Sequence, residues 1–185
     1  MDILLTTEHL MLRRFTAADV DELVALYQDP EVVRYITGGT PTPREVVETE
    51  TLPRFLGYYR RFSHLGYWAA EERANGAFIG WFELVPVEEE HPEEVELGYR
   101  LARWAWGNGY ATEGCRALVS LAFTDLGVQR IVATTMVGNT ASRRVLEKAG
   151  LNHVGTVHKA FDDPIDGAEH GDVDYALDRA DWYHC

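Results

Sequence analysis

Leu101-Ala102-Arg103-Trp104-Ala105-Trp106-Gly107-Asn108-Gly109-Tyr110-Ala111-Thr112-Glu113 is the stretch on which the reading of this chain turns. It joins a run with strand character to a run with helical periodicity, and two glycines sit at the join. Glycine admits positive φ and lets a ligand approach the backbone, and the first amides of a helix point at any anion standing before them. The join is therefore either a tight strand-to-helix turn or a cradle for a diphosphate. A dinucleotide-binding fold would need GxGxxG inside an opening βαβ unit. Here Thr112 takes the third glycine position, and antiparallel hairpins come before the turn.

Upstream, residues 94–101 are expected to form the strand that enters the turn. Before it, 67–72 and 77–84 flank Asn75-Gly76, a pair that tolerates the positive φ of a hairpin. The acidic run 88–92 is expected to make the next turn. Nearer the start, 10–15 reads as a strand, Thr16 as the cap of a helix over 17–28, and 44–62 as a second helix that Pro53 kinks or divides. Downstream the order becomes helix 110–124, strand 130–135, helix 140–149 ended by Gly150, strand 152–158, an acidic loop and strand 173–177. A strand-rich middle followed by α-β-α-β-β predicts one mixed α/β domain over 1–185.

Composition narrows the function. The chain has 185 residues, 46% hydrophobic and 25% charged, as a globular domain does. A net charge of −13 argues against a nucleic-acid or anionic-membrane partner and would attract a cation. No apolar run approaches the roughly 20 residues of a membrane span, and the first residues lack a secretory pattern, so the chain is expected to be cytoplasmic. Cys115 and Cys185 lie far apart and the seven histidines do not cluster at ligand spacings, so no metal is expected.

A second segment carries weight beside the first: Val137-Gly138-Asn139-Thr140-Ala141-Ser142-Arg143-Arg144-Val145-Leu146-Glu147-Lys148-Ala149-Gly150. Asn139 suits a helix cap and equally a ligand contact. The two segments together, with one strand between them, resemble the acetyl-CoA loop and second motif of GNAT acyltransferases, in particular the branch of ribosomal-protein N-terminal acetyltransferases. Leu10-Met11-Leu12-Arg13-Arg14-Phe15 and Asp172-Val173-Asp174-Tyr175-Ala176-Leu177 are similar to that branch as well.

The resemblance implies a mostly antiparallel sheet with helices on both faces, in which strands 94–101 and 130–135 run parallel and splay to admit acetyl-CoA. It implies pantetheine pairing near Gly98, Tyr99, Arg100 and Leu101, a diphosphate on the amides of Trp106, Gly107, Asn108, Gly109, Tyr110 and Ala111, and a contact from Asn139. Trp106 and Asn108 stand where the family often has a polar or basic residue. The implied reaction is acetyl transfer to a primary amine by direct attack in a ternary complex. The acceptor would be a protein N-terminus or a small cationic amine. A homodimer is suggested on the same ground. The competing reading is a catalytically silent acyl-CoA-binding module.

The chemistry then asks for particular groups. An amine is cationic near neutral pH and must lose a proton before it attacks. Glu96 is the expected base and Glu83 the reserve. A backbone N–H near Leu97 or Gly98 is placed to polarise the thioester carbonyl. Many relatives protonate the leaving thiolate from a tyrosine at the position of Leu146; here Ser142 is the expected substitute. Phe161, Asp162 and Asp163, with Glu83, are candidates for holding an ammonium group.

Overall fold

The computed structural model describes residues 2–158 and 165–182. Its strands are β1 (Ile3–Thr6), β2 (Leu10–Arg14), β3 (Gly66–Glu72), β4 (Phe78–Glu88), β5 (His91–Leu101), β6 (Arg130–Met136), β7 (Asn152–Val157) and β8 (Asp172–Asp178). They form one sheet in the order β1-β2-β3-β4-β5-β6-β8-β7. Only β5 and β6 pair in parallel among the described strands, with α5 (Tyr110–Thr124) as the crossover between them.

Thr16 closes a capping box with Asp19, starting a short 3-10 turn that runs into α1 (Val20–Gln28). A short α2 (Arg34–Thr37) follows. The predicted helix over 44–62 is α3 (Arg44–Val46), a π-helical stretch (Val47–Thr51) and α4 (Leu52–Tyr58). Pro53 lacks an N–H and its ring crowds the preceding turn; it stands in the first turn of α4, where the π-helical stretch ends, and α4 ends at Tyr58. After β6 comes α6 (Thr140–Lys148), and α7 (Arg179–Trp182) closes the described chain.

Side chains alternate across each strand, and here the alternation builds two cores. Leu12, Phe82, Leu97 and Leu101 face α5 and α6 with Leu118, Phe123 and Leu146. Phe15, Tyr67, Trp81 and Val85 face α1 and α4 with Leu23, Tyr27 and Phe55. The helices thus cover both faces. β1 and α2 were not anticipated, and the acidic turn is tighter than expected. β4 continues to Glu88 and β5 begins at His91, because the ladder bonds outweigh the repulsion of carboxylates that remain solvated.

Candidate active site

The parallel ladder pairs Glu94 with Arg130, Val95 with Ile131 and Glu96 with Val132, and there it stops. Residues 97–101 and 133–136 continue without pairing to each other, so the β5 edge carries backbone groups that no strand satisfies. A cleft of about 280 Å3 opens between them, with α6 beside it. The Tyr35 hydroxyl donates to the Gly138 carbonyl at 3.2 Å, tying α2 to the turn before α6.

The pleat of β5 sorts the cleft residues by face. Glu96, Gly98 and Arg100 point with Trp81, Glu83 and Val85 toward the α1/α4 side, while Leu97 and Tyr99 point toward α5 and α6. Glu83 stands directly opposite Gly98, and a Cβ at residue 98 would overlap the Glu83 carboxyl. Burial, reinforced by the charge of Glu96, pushes the Glu83 carboxyl up to about 7, against a hydrogen bond from Tyr67 and the fields of Arg100 and Arg54 that draw it down. Glu96 itself is exposed at the lip.

On the opposite side, burial raises the Tyr99 phenol well above its ordinary value, against the neighbouring Ser142 hydroxyl, which draws it down. Asn139 accepts from the Ser142 amide at 3.1 Å and so caps α6. Leu146 packs in the core.

The loop at the end of β5 fits a diphosphate. Gly107 and Gly109 have φ of 79° and 84°, and a Cβ on either would meet open space. No backbone amide from Gly107 to Thr112 donates to a described acceptor. The departures at Trp106 and Asn108 hold this loop in shape: the Trp106 indole N–H donates to the Leu101 carbonyl at 2.8 Å, and the Asn108 amide to the Ala105 carbonyl at 3.2 Å. The Tyr110 hydroxyl instead binds Glu72 on β3, leaving only its amide to the loop.

Glu83, Glu96, Gly98, Tyr99, Arg100, Asn139 and Ser142 therefore line one cleft. Leu101 is buried, and it reaches the loop through the carbonyl that takes the Trp106 indole. Phe161, Asp162 and Asp163 lie outside the described residues. Sequence reasoning missed the Tyr99–Ser142 pair, which the alternation of β5 would have placed on the helix-covered face. It also missed the position of the Arg100 side chain.

A sheet split beyond its one parallel pair, with an amide-lined loop at the end of the first split strand, defines an acyl-CoA-dependent transferase. Residues 9–152 match the family described as Acetyltransferase (GNAT) domain, and the chain belongs to it: it is an acetyl-CoA-dependent GNAT N-acetyltransferase. It is 36% identical over 164 residues to the FsC-acetyl coenzyme A-N(2)-transacetylase of Aspergillus fumigatus, covering 85% of this chain and 68% of that protein. Among solved structures, it superposes on RimL, a ribosomal L7/L12 alpha-N-protein acetyltransferase in complex with coenzyme A, with a TM-score of 0.80 at 18% identity, covering 96% and 98% of the two chains. The spermidine N-acetyltransferase of Vibrio cholerae in complex with CoA and spermine matches with a TM-score of 0.73 at 18% identity, over 96% and 99%.

Proposed function

We propose that this enzyme acetylates a primary amine by direct attack within a ternary complex, and that Glu83 takes the amine's proton with Glu96 as its electrostatic partner. The observation that carries this reading is the Glu83 carboxyl laid over Gly98 at the point where β5 and β6 part. A carboxyl near 7 is partly ionised at neutral pH and matched to accepting a proton, directly or through one water.

Acetyl-CoA supplies an activated acyl thioester. The loop amides from Gly107 to Ala111 would hold its diphosphate, the Trp106 amide being spent instead on the Arg103 carbonyl at 3.2 Å, and the unpaired edge of β5 from Gly98 to Leu101 would hold its pantetheine arm. A backbone N–H at Leu97 or Gly98 suits the carbonyl oxygen as charge develops there. Ser142, beside the Tyr99 phenol, donates to the departing thiolate. The base lies on one face of the sheet and the donor pair on the other, so proton removal and proton return occupy opposite sides of the split.

Release of free thiol from acetyl-CoA, followed with N-terminal peptides and small amines, tests this. Amine-dependent release supports transfer. CoA binding without release for any amine would leave a silent binding module.

A further inference from the structure

Two guanidinium groups stand on the Glu83 face of the sheet, Arg100 in the cleft and Arg54 on α4, and no described acid is hydrogen-bonded or ion-paired to either. Arg100 follows Glu96 and Gly98 on the same face of β5, and its Cζ lies 4.4 Å from the Tyr27 ring and 5.2 Å from the Trp81 ring. Arg54 of α4 lies 5.6 Å from the Phe55 ring and 5.5 Å from the Tyr67 ring. Phe55 stacks on Tyr67 with centroids 3.9 Å apart, and Tyr67 meets Trp81 edge-on at 5.7 Å. The two cations therefore rest on one continuous block of rings, and Arg100 lines the cleft beside Glu83.

Arg13 shows what this protein does with a buried guanidinium that serves structure. It donates to Glu71 at 2.5 Å and to Asp19 at 2.6 Å and 3.0 Å. Arg100 makes no hydrogen bond or ion pair with any described residue, and burial holds its pKa below the ordinary value. Ring faces compensate the flat sides of a guanidinium, but its in-plane N–H donors still need oxygen acceptors, and a carboxylate meets two of them at once. Glu83 stands near but forms no salt bridge with either cation, as a base that must take up a proton requires.

We propose that the acceptor is an amine that carries a carboxylate, an amino acid or a compound built like one, and that Arg100, with Arg54 adding to the local field, binds that carboxylate while the amine faces Glu83. This rests on the N-acetyltransfer reading and deepens it. It also reverses the expectation of a purely cationic acceptor: the net charge of −13 acts at long range, whereas the local cations act at contact.

The test pairs each amino acid with its decarboxylated amine: lysine with cadaverine, ornithine with putrescine, phenylalanine with phenethylamine. Thiol release from acetyl-CoA is measured with wild type, Arg100→Met, Arg100→Lys and Arg54→Gln. For at least one pair the wild type should favour the acid by ~10–100-fold in kcat/KM, the range of a charge-assisted hydrogen-bonded pair. Arg100→Met should reduce that preference to within a few-fold of unity, and Arg100→Lys should restore part of it. Arg54 is exposed, so Arg54→Gln reports without risk to the fold; it should weaken the preference by a smaller factor. A carboxylate-blocked methyl ester should behave like the decarboxylated amine, and a peptide with a side-chain carboxylate as good as the free amino acid would identify a peptide acceptor within the same chemistry. A wild type that uses the decarboxylated partner of every pair equally well or better overturns the proposal. So does a preference that survives Arg100→Met. Absence of thiol release with every amine tried, peptides included, defeats instead the transfer reading beneath it.

Discussion

Glu83 on β4 and Gly98 on β5 stand opposite each other, and the Glu83 side chain occupies the space that a side chain at residue 98 would fill. A Cβ there would come within 3.0 Å of Glu83 Cδ and closer still to a carboxyl oxygen. The glycine is required by its neighbour, since its φ is not one that disfavours other residues. Gly98→Ala should displace the carboxyl and lower kcat/KM by about 10- to 10²-fold, as misplacement of a reacting group by ~1 Å does. CoA affinity, measured by calorimetry, should change far less. Full activity in Gly98→Ala would mean that the carboxyl need not lie there.

Glu83→Gln keeps the shape and removes proton acceptance, so kcat/KM should fall about 10²-fold or more near neutral pH. In the wild type the basic form grows as pH rises, giving an acid limb with its midpoint near 7. Glu96→Gln removes a negative neighbour that helps hold the Glu83 proton, so the limb should move to lower pH with a smaller loss of rate. A pH–rate series on the three proteins decides the matter. Wild-type rates in Glu83→Gln, with a large loss in Glu96→Gln, would hand the base role to Glu96.

Gly109→Glu places a bulky carboxylate where the loop amides await a diphosphate, and it does so at a φ of 84°, which other residues rarely adopt. CoA affinity should fall by at least about 10-fold, like charge repelling like at contact. A tightly binding, folded variant would remove the loop from the cofactor site.

Ser142→Ala removes a donor and almost no volume, and should cost on the order of 10- to 10³-fold in kcat where chemistry limits turnover. Tyr99→Phe keeps the ring and removes only the hydroxyl beside Ser142, so it should cost less. Both losses should shrink with an acyl donor whose thiol is more acidic, because that thiolate needs less help. Losses that ignore the leaving group would reduce the pair to a structural contact.

Arg13 binds Asp19 and Glu71 in a setting where all three side chains are about nine-tenths covered. Arg13→Met leaves two carboxylates buried together and should cost ~3–5 kcal/mol in urea unfolding at pH 7. Burial pushes the Asp19 carboxyl up, but Arg13 and Thr16 outweigh it and hold it below its ordinary value. That stabilisation is present above the ordinary carboxylate pKa of about 4 and is lost as pH falls through the depressed folded value. The melting temperature should therefore drop in strong acid, and less steeply in Asp19→Asn.

The linear chain already held the order of elements and the anion loop. Gly107 and Gly109 before a helical period, Asn75-Gly76 between alternating runs, and Thr16 three residues before Asp19 are local patterns, and each formed where its φ preference or cap required. The bounds of α5 were legible to the residue because Gly109 opens it and its apolar positions recur at helical spacing. Short α2 and edge strand β1 were not, since a single turn or a four-residue strand depends on what it packs against.

What the sequence determined by itself is the chemistry available: two carboxylates, a serine hydroxyl and a loop of free amides, in an order that one split sheet brings together. Which carboxylate is sheltered was decided only in the tertiary structure. Glu83 and Glu96 look alike along the chain, and it is the β4–β5 register that lays one over Gly98 and leaves the other at the lip. The same register and the same ring block give Arg100 a covered place on the Glu83 face, with no described acid bonded to it. Burial and pairing across strands are properties of contacts between residues distant in sequence, and a carboxyl's proton affinity follows its surroundings, not its position in the chain.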